Sequence, residues 1–177
     1  LIRGPHQGFN PGLIDPYLIG ESRREDEPQG LLGGFDLNGD GHDDLALGVP
    51  SFGEGERAAA GAVAFYFGRP SADRRLTQVS CEADLEISGW DYFGLLGFAM
   101  APLGDVDGDG CDEVALGLPG ADDWSGRVHV LLGHGPNCAR LDARVVTLDG
   151  DSITSAFGWS LIGGRDLDVD QTPDMVV

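Results

Sequence analysis

Short apolar runs recur along residues 30–177, and each is bounded by glycine, proline or charged residues. Residues 44–50 and 113–119 hold two such runs, each stopped by Gly-x-Pro, and residues 61–68 and 126–133 hold two more between glycines. Short runs of this kind are typical of buried strands. No segment shows convincing helical periodicity, so we predict an all-β fold.

The order of these runs repeats along the chain. An acidic stretch at 36–44 recurs at 105–113 and, without the loop glycines, at 166–174. With the runs at 84–89 and 144–150, each period holds four short strands. Fixed-period units of four antiparallel strands are typical of the blades of a β-propeller, which must stack around an axis because one blade cannot bury both of its faces.

This period divides the chain into predicted blades. Residues 31–90 form the first, residues 91–150 the second and residues 151–177 the start of a third, while residues 1–30 are an irregular lead-in with an outer strand at 12–20. A propeller needs roughly four to eight blades to close. We therefore expect a fragment of a longer polypeptide, or several copies that complete one ring, and the end in mid-blade favours the fragment.

The acidic stretches, named loop 1 (36–44), loop 2 (105–113) and loop 3 (166–174), carry oxygen-bearing side chains at positions 1, 3, 5 and 9. Ca²⁺ accepts six to eight oxygen ligands, and position 7 would add its backbone carbonyl. The sequence therefore predicts up to three calcium sites. The alternative is an acidic, glycine-rich hairpin turn that holds no metal.

Position 12 separates these loops from helix–loop–helix calcium sites. Such a site closes with a bidentate glutamate at position 12 and has helices on both sides. Here position 12 is Leu47, Leu116 or Val177, and apolar runs follow loops 1 and 2 directly. Each loop is therefore predicted to join two strands.

The formal net charge is −19, and all 11 basic residues are arginine. Such a chain repels nucleic acid and anionic membranes, so we expect neither as a partner. No apolar run approaches the length of a membrane-spanning helix, so membrane insertion is not expected. Bound Ca²⁺ would relieve part of the repulsion among the clustered carboxylates.

Three cysteines, Cys81, Cys111 and Cys138, allow three single pairings. We favour Cys111–Cys138, because both residues fall in turns at the same end of one repeat. The alternative is three unpaired thiols that behave as small apolar residues. Calcium loops of this kind suit an exterior location, which would permit a disulfide.

No catalytic constellation is visible. The histidines His6, His42, His129 and His134 form no paired zinc pattern, and no Gly-x-Ser-x-Gly elbow is present. The clustered carboxylates are committed to metal, and a saturated Ca²⁺ has no open position for Lewis-acid chemistry. We therefore do not expect an enzyme.

Several aromatic residues are assigned structural roles. Phe93 and Phe157 are predicted to pack between adjacent blades, and Trp90, Trp124 and Trp159 to fill inter-blade space or lie at the rim rather than to form ligand platforms.

The combination of Phe93-Gly94, the Gly-Asp-x-Asp-Gly-Asp-Gly stretch at 104–110 and Gly117-Leu118-Pro119 resembles the FG-GAP repeat of integrin α-subunit propellers and their bacterial relatives. The first copy has the loop and Gly48-Val49-Pro50 without a leading Phe-Gly, and the third has Phe157-Gly158 and the loop. The resemblance implies a seven-bladed propeller with Ca²⁺ in the hairpin loops that join the first two strands of several blades.

The resemblance also implies a set of ligands in each loop. These are Asp36, Asn38, Asp40, His42 (carbonyl) and Asp44 in loop 1; Asp105, Asp107, Asp109, Cys111 (carbonyl) and Glu113 in loop 2; and Asp166, Asp168, Asp170, Thr172 (carbonyl) and Asp174 in loop 3. Glu113 departs from the usual aspartate. Val169 and Gln171 replace loop glycines, so we expect the third site to be the weakest.

These features together favour a calcium-binding recognition or adhesion scaffold of integrin-α type, extracellular or at the cell surface. The metal is expected to be structural, and loops on the face away from it would contact a protein or glycan ligand. The remaining blades of the same chain, or other copies, are the other expected partners. Two alternatives are an accessory propeller domain of a secreted enzyme and a self-assembling surface or filament component.

Overall fold

The computed structural model describes residues 28–53, 55–68, 83–138 and 144–177. The outer strand predicted at 12–20 and the thiol of Cys81 lie outside the described residues. Within these ranges the chain forms strands β1 (Gly30–Gly33), β2 (Leu45–Val49), β3 (Ala62–Tyr66), β4 (Leu85–Ser88), β5 (Met100–Gly104), β6 (Glu113–Leu118), β7 (Arg127–Leu132), β8 (Arg144–Asp149), β9 (Ile162–Arg165) and β10 (Asp174–Val176).

The strands form three antiparallel sheets in which sequence neighbours pair. Strands β1-β2-β3-β4 form the first sheet, β5-β6-β7-β8 the second, and β9 and β10 pair as a third. The registers of the two full sheets are equivalent: Leu47 lies opposite Ala64 in the first, and Leu116 opposite His129 in the second. The predicted all-β fold of four-stranded units is therefore confirmed.

Helical structure is confined to two single turns among the described residues. One is a 3₁₀ turn at Gly55–Arg57 and the other is α1 (Ala121–Trp124), in which Asp122, Asp123 and Trp124 have left-handed φ values of 49°, 55° and 70°. Neither turn has the length or the apolar character needed to cross a bilayer.

The sheets stack through their first strands and share two apolar cores. Strand β1 lies against β5, and β5 lies against β9. The first core joins the first and second sheets and includes Phe35, Phe65 and Leu116, all nearly or fully buried. The second core includes Leu103 and Val128, with side chains from β10 and the β8–β9 connection packed against it. Each sheet thus buries a face against the next, as propeller blades do.

The Gly-x-Pro after each of loops 1 and 2 marks a close approach of the next sheet. A Cβ atom on Gly48 would overlap the carbonyl oxygen of Gly97, and a Cβ atom on Gly117 would overlap that of Gly158. Both glycines are buried, and the residues on either side of them in their strands are apolar. The glycine is therefore required by the neighbouring backbone rather than by its own conformation.

The predicted alignment of the Phe-Gly pairs is wrong by three residues. Leu96 pairs with Gly61, as Phe157 pairs with Gly126, and Gly97 and Gly158 share a φ of 85°. Leu96-Gly97 therefore occupies the place that Phe157-Gly158 occupies in the next repeat.

The packing of the aromatic residues follows this shift. Phe157 packs against the second core, as predicted, whereas Phe93 is 44% exposed and contacts Tyr92, so its predicted inter-blade role is wrong. Leu96, which is 2% exposed, fills that space instead. The three tryptophans are exposed at the rim, one of the two places predicted for them.

Replacing Gly117 with alanine should lower the free energy of unfolding by about 1–3 kcal/mol, because the added methyl group forces the two sheets apart. Gly33→Ala is the matched control, since its Cβ would meet only ordinary contacts, the nearest at 3.6 Å. Urea unfolding of both variants checks the prediction, and equal stabilities would contradict it.

Candidate metal centre

Loops 1, 2 and 3 each connect the first two strands of a sheet, namely β1 to β2, β5 to β6 and β9 to β10. No helix flanks any of them within the described ranges, in agreement with the prediction from position 12. Because the strands of each sheet are antiparallel, these loops lie at the same end of the sheets as the segments that follow β3 and β7.

The carboxylate at position 1 caps the backbone of its own loop. In loop 2 the Asp109 N–H donates to Asp105 Oδ1 (3.0 Å) and the Gly110 N–H donates to Asp105 Oδ2 (3.0 Å). The same two bonds measure 3.1 and 2.7 Å at Asp36 in loop 1 and 3.1 and 2.9 Å at Asp166 in loop 3. All three loops therefore share one conformation, which the first side chain fixes.

The side chains at positions 3 and 5 also accept bonds from the loop backbone. In loop 2 the Asp109 N–H donates to Asp107 Oδ1 (3.2 Å), and the Cys111 N–H donates to Asp109 Oδ1 (3.0 Å). Loop 1 repeats these bonds at 3.1 and 2.9 Å, and loop 3 at 3.2 and 2.8 Å. Each carboxylate oxygen has a second lone pair, so these bonds leave acceptor capacity for a cation.

The carboxylate at position 9 is the buried member of loops 1 and 2. Asp44 is 3% exposed and Glu113 is fully buried. The N–H of position 2 donates to it in every loop: Leu37 to Asp44 (2.9 Å), Val106 to Glu113 (2.8 Å) and, in loop 3, Leu167 to Asp174 (2.6 Å). The other oxygen of Asp44 and of Glu113 accepts an N–H from Gly68 (2.8 Å) and Gly133 (3.1 Å), respectively.

Burial shifts the protonation of these two acids. Desolvation raises the pKa of Asp44 to about 6, although its two backbone donors act in the opposite direction. Desolvation also raises the pKa of Glu113, again against two backbone donors. Both carboxylates therefore occupy places where a nearby positive charge would stabilise the ionised form.

The acids of loops 2 and 3 converge in space. Asp105, Asp107 and Glu113 each place a carboxylate oxygen within 4.8 Å of the other two, and Asp166, Asp168 and Asp174 do the same. The donor atoms gathered in this way are all oxygens, which is the ligand chemistry that Ca²⁺ and Mg²⁺ prefer. The residues of these loops therefore fit a hard divalent cation.

Loop 3 adopts the shared conformation without the glycines of the other two. Its Val169 and Gln171 have φ values of 66° and 76°, where Gly108 and Gly110 of loop 2 have 74° and 93°. A positive φ is unfavourable for residues with a Cβ, most of all for β-branched ones. Loop 3 therefore forms under backbone strain, which agrees with its expected weakness.

The disulfide Cys111–Cys138 is present, as favoured from the sequence, with the two Cα atoms 5.5 Å apart. It joins position 7 of loop 2 to the segment that follows β7. Both sulfur atoms lie close to Asp109, but they are bonded to each other and so offer no thiolate to a metal.

Sequence analysis missed three residues that complete this region. Asp112, at position 8 of loop 2, accepts an N–H bond from Asp36 of loop 1 at 2.8 Å. Gly133 and Gly135 approach loop 1 so closely that a Cβ on Gly135 would lie 2.5 Å from the carbonyl oxygen of Asn38. The only sequence signal was the glycine spacing after β7, since these contacts join different repeats.

The opposite end of the sheets carries exposed aromatic side chains. Phe52, Trp90, Tyr92, Trp124 and Trp159 are between 40% and 72% exposed, and all lie in connections that leave β2, β4, β6 or β8. We call this set the aromatic face. It lies at the other end of the strands from loops 1 to 3.

Arg127 fixes the backbone beneath the aromatic face. Its guanidinium donates to Asp149 (2.6 Å), to Asp91 (2.9 Å) and to Asp122 in the left-handed turn. The hydrogen bond to Asp149 is the main cause of the raised pKa of Arg127. One side chain thus ties together the β4–β5 connection, the β6–β7 connection and the end of β8.

Comparison with known proteins gives the family. The FG-GAP repeat model matches residues 28–66 and 97–131, which include loops 1 and 2. The chain is 36% identical to human integrin alpha-IIb over 148 residues, 30% to chicken (Gallus gallus) integrin alpha-V over 151 and 32% to human integrin alpha-8 over 149, in each case over 80% of this chain.

The matched region is a small part of those relatives. It spans 14% of the length of integrin alpha-IIb and integrin alpha-V and 13% of integrin alpha-8. The chain therefore contains FG-GAP repeats and is homologous to integrin alpha subunits over 80% of its own length.

Proposed function

We propose that this chain is part of a calcium-stabilised recognition scaffold of integrin-α type. The observation that carries the proposal is the convergence of Asp105, Asp107 and Glu113 within 4.8 Å, with Glu113 fully buried. Carboxylates held this close repel one another unless a cation or protons offset their charge. A cation in each loop would remove this repulsion and hold the hairpin end of its sheet.

The proposed ligands are the side chains at positions 1, 3, 5 and 9 of each loop, together with the carbonyl of His42, Cys111 or Thr172 at position 7. This set offers five oxygen-bearing groups to one ion, which suits the high and flexible coordination number of Ca²⁺ better than the octahedral, largely hydrated Mg²⁺. An ion surrounded in this way has a structural rather than a catalytic role.

We assign partner recognition to the aromatic face, although the sequence alone favoured a structural role without ligand binding for its three tryptophans. Exposed tyrosine and tryptophan combine a large apolar surface with a polar tip, and such residues dominate binding energy at protein interfaces. The Arg127 network fixes two of the connections that present them and the end of β8, which lowers the ordering cost of binding. A protein or a glycan would therefore bind at the end of the sheets remote from the ions.

Two features support an extracellular or cell-surface location. The Cys111–Cys138 disulfide persists in an oxidising environment, and calcium sites of extracellular modules are matched to calcium at about 10⁻⁴–10⁻³ M.

Chelation of calcium with EDTA should lower the melting temperature by about 5 °C or more. At a calcium concentration 100 times the Kd, one site adds about 2.7 kcal/mol of stability, and for a protein of this size each kcal/mol is worth about 2–4 °C. Scanning calorimetry with and without EDTA checks the prediction. A melting temperature that EDTA leaves unchanged would count against the proposal.

Asp105→Ala should remove one calcium from the binding stoichiometry, because position 1 both faces the cation and caps the loop backbone. Asp151→Ala is the matched control: it also removes one exposed carboxylate, but from the β8–β9 connection. Isothermal titration calorimetry separates the two variants, and the proposal for loop 2 fails if they bind the same number of ions.

Val169→Gly should raise the calcium affinity of loop 3 about five-fold, since relief of a left-handed residue is worth roughly 1 kcal/mol. Leu167→Gly is the control, because Leu167 lies two residues earlier and has no positive φ. It adds the same backbone flexibility without relieving strain, so it should not raise the calcium affinity. The shift of the Gln171 amide resonance during a calcium titration reports this site. An unchanged affinity in Val169→Gly would show that strain does not limit it.

A further inference from the structure

Loops 1 and 2 contact each other directly through two hydrogen bonds. The Asp36 N–H donates to Asp112 Oδ2 (2.8 Å), and the Asp112 N–H donates to the Asp36 carbonyl oxygen (2.9 Å). Asp36 is position 1 of loop 1, and Asp112 lies between positions 7 and 9 of loop 2. These two hydrogen bonds therefore connect the backbones of the two proposed calcium-binding loops.

A second connection runs through the segment after β7. The Gly133 N–H donates to Glu113 Oε1 (3.1 Å), and the adjacent His134 N–H donates to the Leu37 carbonyl oxygen (2.9 Å). The Leu37 N–H in turn donates to Asp44 Oδ2 (2.9 Å). Three residues, Gly133, His134 and Leu37, and three hydrogen bonds thus link the buried carboxylate of loop 2 to the buried carboxylate of loop 1.

The disulfide braces this arrangement. Cys111–Cys138 ties loop 2 to the segment after β7, and its sulfur atoms lie against loop 1. A Cβ atom on Gly39 would lie 2.7 Å from Cys111 Sγ and 3.2 Å from Cys138 Sγ. Loop 1 therefore packs directly against the disulfide that is anchored in loop 2.

Loop 3 provides an internal contrast. Its position 8 is Pro173, which has neither an N–H group nor a carboxylate. Pro173 lies beside Gly104, the residue before loop 2, since a Cβ atom built on Gly104 would be 3.9 Å from Pro173 Cγ. The two bonds that Asp112 exchanges with Asp36 cannot form at this junction. Position 8 of loop 2 is thus hydrogen-bonded to loop 1, whereas position 8 of loop 3 cannot make the equivalent bonds to loop 2.

We propose that loops 1 and 2 form one coupled pair, in which Ca²⁺ bound at either loop raises the affinity of the other, while loop 3 binds independently. This inference rests on the proposed function, since it requires that the loops bind calcium. The physical reason is that an ion in one loop fixes Asp36 or Asp112, and the bonds between these residues then hold the second loop in its binding conformation. The coupling is reciprocal by thermodynamic necessity.

A calcium titration of the whole chain, followed by NMR, tests the coupling site by site. The amides of Gly41, Gly110 and Gln171 occupy the same position in loops 1, 2 and 3 and donate to the carboxylate at position 1. Asp107→Ala disables loop 2 and Asp168→Ala disables loop 3. We expect Asp107→Ala to weaken loop 1 by about five-fold or more, and Asp168→Ala to leave it within about two-fold.

Asp112→Pro shows whether the named contact carries the effect. It gives loop 2 the residue that loop 3 already holds at position 8, and it removes both bonds to Asp36. In this background, adding Asp107→Ala should weaken loop 1 by less than about two-fold, which is the additivity expected of uncoupled sites. Asp112→Ala removes only the carboxylate acceptor and keeps the N–H donor, so the coupling between loops 1 and 2 should be intermediate. This variant tests the contact if the proline variant does not fold.

The outcomes separate the two proposals. If all three loops bind calcium but the affinity of loop 1 does not depend on loop 2, the coupling is wrong and the proposed function stands. If the coupling persists unchanged in both Asp112 variants, its assignment to this contact is wrong. If none of the three amides shifts with calcium, the proposed function fails first.

Discussion

The structure depends on the burial of one carboxylate at the start of the second strand in each full sheet. Asp44 and Glu113 are held by backbone N–H donors on both oxygens, yet desolvation still raises the pKa of each. Repulsion from other acids of the same loop raises the pKa further, from Asp36 and Asp40 at Asp44 and from Asp107 and Asp109 at Glu113. A hairpin built in this way becomes more favourable when a cation or protons offset its negative charge, so the stability of the fold is linked to the proposed calcium sites.

The antiparallel order of the strands separates the two proposed roles of the molecule. Successive connections alternate between the ends of a sheet, so the acidic hairpins lie at one end and the aromatic face at the other. Between them, Gly48 and Gly117 let neighbouring sheets approach to backbone contact. In the proposed function, calcium would therefore stiffen the stack without occupying the surface assigned to a partner.

The shifted Phe-Gly pair shows that residue identity alone can align two repeats incorrectly. Phe93-Gly94 has the expected residues, but Leu96-Gly97 has the expected role. The second residue of the pair, Gly97 or Gly158, must have a left-handed conformation where it passes over the buried glycine of the neighbouring strand. The residue before it must direct an apolar side chain into the core. Leucine satisfies the second demand as well as phenylalanine does, so packing rather than residue identity decides the register.

The sequence by itself determined the features that lie within one hairpin. Nine consecutive residues hold each proposed ligand set, and the short apolar runs around them are enough to specify strands, because backbone turn and side-chain spacing are local properties. Only the tertiary structure decided how the hairpins meet. The bond between Asp36 and Asp112 spans 76 residues, and the contact of Gly39 with the disulfide joins two sheets, so both depend on how one sheet registers against the next.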